Sequence, residues 1–80
     1  MAKALVCINT ESDNEDVIRN LKTLDGVNEA YSSIGAYDVV ALIQADSILE
    51  LKEIVAKNIR NMENVKSTLT LTMIESKTSS

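Results

Sequence analysis

Histidine, phenylalanine, tryptophan and proline do not occur in this 80-residue chain, and cysteine occurs once, as Cys7. With no histidine and a single thiol, the chain by itself offers neither an ordinary zinc site nor a disulfide framework. Catalysis is poorly provided for as well. No metal-ligand cluster and no nucleophile beside an evident base can be drawn, so neither enzymatic activity nor a cofactor is expected. The tyrosines, Tyr31 and Tyr37, are too few for a stacking platform on single-stranded nucleic acid. Lysine and arginine number 8 against 12 acids and form no run of basic residues, which argues against direct DNA binding. Long apolar runs are missing too: Ala4-Leu5-Val6-Cys7-Ile8 is too short for a signal-peptide core or a bilayer span. A soluble cytoplasmic protein without membrane contact is the expectation, and Cys7 reads as a small buried hydrophobe in a reducing compartment.

What is present is a regular alternation of elements. Residues 3–9 alternate as a first strand, with Ala4, Val6 and Ile8 on one face and Lys3, Leu5, Cys7 and Asn9 on the other. Ser12 and Glu15 have capping-box spacing. Asp13, Glu15 and Asp16 suit the positive end of a helix dipole. Val17, Ile18, Leu21 and Leu24 then recur at helical spacing, which predicts about three turns, stopped by Gly26 in a left-handed cap. Val27 to Ile34 reads as a polar, edge-type strand. Tyr37 to Ala45 reads as a strand apolar on both faces, central in its sheet. Between them Gly35-Ala36 predicts a two-residue hairpin, with glycine where a type II′ turn needs positive φ. Ser47 and Glu50 repeat the capping-box spacing, and Leu51, Ile54, Val55, Ile59 and Met62 form the stripe of a second helix. Glu53 and Lys57 can pair on its wet face, and Asn64 is placed to end it. Val65 to Ile74 is the last strand, with Val65, Leu69, Leu71 and Met73 opposite Lys66, Thr68, Thr70 and Thr72. The polar end of the chain is expected to fray, giving a single domain over residues 1–75 and a flexible tail at 76–80.

Asn20 to Val27 and Asn58 to Val65 match position by position, each reading as helix end, acidic residue, left-handed cap and strand. The chain is therefore βαβ twice. That order is the α+β, ferredoxin-like βαββαβ arrangement: a four-stranded antiparallel sheet with two helices on one face. A core of this size is marginal alone, and the second sheet face is partly apolar, so at least a dimer is expected, two sheets meeting face to face.

Asp25-Gly26-Val27-Asn28-Glu29-Ala30-Tyr31, then Gly35-Ala36-Tyr37-Asp38-Val39-Val40, then Val65-Lys66-Ser67-Thr68-Leu69-Thr70 resemble, in order and spacing, the effector (RAM) domain of the Lrp/AsnC family of feast/famine transcriptional regulators. The resemblance covers residues 3–75. It implies a dimeric α/β-barrel type assembly, dimers building octamer-like rings, and a free amino acid bound between dimers near the glycine-x-tyrosine-aspartate segment. Family members usually carry a DNA-reading helix-turn-helix. The expectation here is a stand-alone regulator or co-regulator of amino-acid metabolism, with full-length Lrp/AsnC regulators as partners. Carried over, the ligand-binding residues are Gly35, Ala36, Tyr37 and Asp38, with Thr68 and Thr70 on the last strand.

The chemistry of that site also stands on the residues themselves. An α-amino acid needs an acceptor for its ammonium group and donors for its carboxylate; Asp38 supplies the first and the turn amides near Gly35 to Tyr37 the second. Tyr37 walls the side chain, and Thr68 and Thr70 add hydroxyls. The competing readings are a turn glycine with an aspartate that only caps it, a purely structural oligomerisation module without ligand, and a small dimeric α/β-barrel enzyme, a class that ferredoxin-like dimers also host.

Overall fold

Alternating apolar residues build a sheet in which the central strands are buried on one face. β1 (Ala2–Thr10), β2 (Val27–Ser32), β3 (Val39–Ala45) and β4 (Val65–Met73) form one four-stranded sheet in the order β2-β3-β1-β4, every neighbouring pair antiparallel. The computed structural model describes residues 1–73; the tail expected at 76–80 lies outside them. Ala4, Val6 and Ile8 of β1 face the same side as Val39, Ala41 and Ile43 of β3, and all six are fully buried. The period-2 pattern puts Leu5, Cys7, Val40 and Leu42 on the opposite side.

Two helical segments cover the buried face, α1 (Asn14–Leu21) and α2 (Ile48–Glu53), the second continuing as a π-helical stretch from Ile54 to Ile59. Val17 and Leu21 from α1 and Leu51, Val55 and Ile59 from the second segment complete the core. Burying one such leucine or isoleucine contributes roughly 1.5–3 kcal/mol. The π stretch is marked by the Arg60 amide donating to the Val55 carbonyl at 2.9 Å, one residue farther back than an α-helix allows. Lys57 and Glu53 pair at 3.3 Å on its exposed side, as their spacing predicts.

Three local expectations are revised. The first helix is capped by Asp13, whose carboxylate accepts from the Asp16 amide, and the Ser12 hydroxyl instead donates to the side chain of Asn64. A charged acceptor at the positive end of the helix outcompetes the adjacent hydroxyl. That helix is eight residues long. The Thr23 and Leu24 amides then turn back on Asn20 and Leu21, tightening the chain before Gly26. The third revision concerns the hairpin: β2 stops at Ser32 and β3 begins at Val39, so the connection runs from Ser33 to Asp38. It is closed by the Ser33 amide donating to the Asp38 carbonyl, while the Asp38 amide turns to the Ile8 carbonyl of β1. Ile34, expected in the strand, is fully exposed.

The matched caps do take positive φ, 92° at Gly26 and 73° at Asn64. At the second helix Ser47 caps as expected, accepting from the Glu50 amide at 3.2 Å, while the Glu50 carboxylate accepts from the Asp46 amide.

Candidate functional site

The Ser33–Asp38 loop leaves the end of the sheet where β1 finishes. Gly35 has φ +130°, a conformation side chains resist, and no atom within 4 Å of where a Cβ would stand. Gly35 and Ala36 are exposed; Tyr37 and Asp38 are half-buried. Asp38 is held in place through one oxygen: Oδ2 accepts from the Thr10 amide at 3.0 Å and from the Thr10 hydroxyl at 3.3 Å. Thr10 Oγ1 also lies 3.2 Å from Asn14 Oδ1, connecting the loop to the first residue of α1. Among the described residues no hydrogen bond reaches Asp38 Oδ1, and the amides of Gly35, Ala36 and Tyr37 make no backbone hydrogen bond. The loop thus presents a fixed carboxylate with an uncommitted oxygen beside uncommitted N–H groups. This is the polarity an ammonium and a carboxylate require.

Thr68 and Thr70 are not part of that cluster in one chain. Thr68 is registered against Ile8 and Thr70 against Val6, so β1 stands between them and β3. They share the helix-side face of β4 with Thr72. There they line a cleft of about 430 Å³ opposite Lys52, Val55 and Arg60. That cleft exists because the helices pack over β1, β2 and β3 and leave β4 largely uncovered. Sequence reasoning missed Thr10, which looks like the frayed end of a strand and in fact anchors Asp38. It also missed Lys52 and Arg60, whose shared helix face with Ala56 was the available signal.

The other sheet face is apolar at β4. Leu69, Leu71 and Met73 keep 43–49% of their surface exposed, beside half-buried Leu5 and Cys7. At the far edge the Tyr31 hydroxyl donates to the Glu29 carboxylate. That bond, the negative charge of Glu29 and slight desolvation hold the phenol above its ordinary value of 10.0. Among the described residues there is no group of three or more His, Cys, Asp or Glu placed to hold a metal ion, and no helix long and apolar enough to cross a membrane.

A family model for the Lrp/AsnC ligand binding domain matches residues 3–80. The chain belongs to the Lrp/AsnC ligand-binding domain family. It is 32% identical over 66 residues to the regulatory protein AsnC of Haemophilus influenzae, covering 82% of this chain and 44% of that one. This Lrp/AsnC domain thus spans less than half the length of that curated relative, which is a regulator. Among solved structures, a Thermus thermophilus protein superimposes with a TM-score of 0.89 at 30% identity, covering 99% of this chain and 100% of that one. A feast or famine regulatory protein from M. tuberculosis, complexed with L-methionine, shares the fold with a TM-score of 0.80 at 23% identity, covering 99% of this chain and 54% of that one.

Proposed function

We propose that this Lrp/AsnC domain binds a free α-amino acid at the Ser33–Asp38 loop. As part of a homo-oligomer it acts as a regulator or co-regulator of amino-acid metabolism, with any DNA contact made outside residues 1–73. The observation that carries this reading is the loop itself: Asp38 is fixed by Thr10 through Oδ2, leaving Oδ1 for an ammonium group, and the amides from Gly35 to Tyr37 are unspent for a carboxylate. The M. tuberculosis regulator of the same fold, complexed with L-methionine, supports an amino acid as the class of effector. Half-buried Tyr37 walls the side chain. Because β1 separates Thr68 and Thr70 from the loop within one chain, these hydroxyls reach a loop-bound ligand from a neighbouring copy. The apolar stripe Leu69, Leu71 and Met73 supplies the face for a first dimer contact.

A thermal-shift screen over the standard amino acids tests the proposal. At least one is expected to raise Tm of the wild type. Asp38→Asn is expected to abolish that rise while keeping an acceptor for Thr10, so that its own Tm stays near wild type. A flat screen on assembled, ligand-free protein would overturn the reading in favour of an oligomerisation module that senses nothing.

A further inference from the structure

β2 is an edge strand whose outer rim is unspent and unguarded. The Ser33 amide donates to the Asp38 carbonyl at 2.8 Å, and the register continues with Ser32 against Val39, Tyr31 against Val40 and Ala30 against Ala41. Bonded and unbonded pairs alternate along an antiparallel ladder, so Tyr31 bonds to β3 while the amides and carbonyls of Ala30 and Ser32 point off the sheet. Protein edges of this kind are ordinarily blunted by proline, lysine or an inward-pointing charge. Val27–Ser32 contains neither proline nor lysine, and its one charge, Glu29, is engaged by the Tyr31 hydroxyl of the same strand. The bulge between Val27 and Glu29 lies at the end away from Ser32. Among the described residues the rim is uncovered: a cleft of about 190 Å³ opens along it, lined by Lys22, Asn28, Glu29, Ala30 and Tyr31. Tyr31 keeps 59% of its surface exposed there.

We propose that this rim pairs antiparallel with β2 of a second copy about a two-fold axis through Tyr31, joining two sheets edge to edge. In that register the Ala30 amide donates to the Ser32 carbonyl of the second copy and the Ser32 amide to its Ala30 carbonyl, and the axis repeats both bonds. Tyr31 stands directly opposite Tyr31 of the second copy at an unbonded position, where side chains approach most closely and an aromatic pair is favourable. Glu29 falls opposite Ser33, so the carboxylates of the two copies stay apart. On the other face the small side chains of Ala30 and Ser32 oppose each other without obstruction. The strand is thus complementary to itself, which singles out a second copy as its occupant. This contact is distinct from the one at Leu69, Leu71 and Met73, because β3 and β1 lie between β2 and β4. It also uses none of Gly35 to Asp38, so it does not depend on the amino-acid site. Two different self-complementary contacts on one chain carry assembly past the dimer.

Sedimentation velocity on the full chain tests the proposal, with circular dichroism as the check on folding. The wild type is expected to be larger than a dimer. Ser32→Pro removes an N–H that points off the sheet and no bond to β3, so the fold should persist while the assembly mass falls to about half. Tyr31→Asp and Tyr31→Lys each set like charges directly across the axis and should each lower the mass in the same way. Mixing these two variants should restore the wild-type mass, because the register then brings unlike charges opposite one another; a mere loss of tyrosine packing would not be repaired by mixing. Leu71→Asp reports separately on the β4 stripe, and combined with Ser32→Pro it should leave monomers. A wild type no larger than a dimer would overturn the proposal. So would a natively folded Ser32→Pro that keeps the full mass, or a Tyr31→Asp and Tyr31→Lys mixture that stays at the reduced one.

Discussion

The two halves of the chain begin from nearly the same pattern and end in different surroundings. In the first half the helix stops early, Gly26 turns the chain, and β2 enters the edge of the sheet with Ala30 buried beneath α1. In the second half the helix runs on through a π turn, Asn64 makes the corresponding turn, and β4 enters the opposite edge with neither face covered. The matched positions Leu21 and Ile59 are both fully buried, so the repeat holds in the core. It fails at the edges. Internal duplication specifies what each helix presents to the sheet; the sheet order then decides which strand the helices reach, and β4 is the one they do not.

The comparison can be broken most directly in the core. Leu21→Ala and Ile59→Ala should each cost about 3 kcal/mol, since both empty a fully buried side chain. Chemical denaturation showing one much cheaper than the other would mean that the π-linked helix is the looser half.

The caps should separate the halves next. A methyl group at Gly26 would meet Ile54 Cδ1 at 2.9 Å and the Gln44 carbonyl oxygen at 3.0 Å, at a φ of +92°. Gly26→Ala is therefore expected to cost about 2 kcal/mol from strain plus overpacking. Asn64→Ala should cost about 1 kcal/mol, mostly strain, because asparagine already tolerates this conformation. Thermal denaturation of the pair measures the difference, and equal losses would contradict the asymmetry.

The edges come third. Leu71→Asp, on the exposed stripe opposite Leu5, should change folding stability by less than about 1 kcal/mol and shift the sedimenting mass toward the monomer. Retention of the full assembly mass would remove β4 from the contact.

The smallest effect is on β2. The neutral Tyr31 phenol donates to Glu29, and its raised pKa means this contribution is present below the ordinary tyrosine range and is lost as pH rises through the folded value. In a Tyr37→Phe background, alkaline absorbance titration should place Tyr31 ionisation above 10.0, and Glu29→Gln should lower it.

Much of this architecture could be read from residues. Ala4, Val6 and Ile8, and Val39, Ala41 and Ile43, alternate against apolar neighbours, so their strands were legible and their side chains lie in the core. Gly26 and Asn64 were legible as turns because a glycine and an asparagine stand at the same place in two copies. The hairpin was not. Ser33 and Ile34 continue the alternation of β2, and nothing local reveals that the Asp38 amide turns to β1 and ends pairing at Ser32. The cap at Asp13 was obscured by two adjacent acceptors, of which the charged one prevails. The π turn has no sequence signal in Ile54 to Ile59. At the candidate site, Asp38 beside Gly35 could be seen in the chain. The separation of Thr68 and Thr70 from them could not, because it depends on strand order and not on spacing.

The π turn carries one more consequence. A ring closed from Arg60 back to Val55 spans one residue more than an α-helical ring. The second helix therefore holds a spare residue in its length without displacing Asn64 or β4. Deleting exposed Ala56 would let the segment close as ordinary α-helix while both keep their places. The chain has here a position where it can shorten by one without renegotiating its sheet.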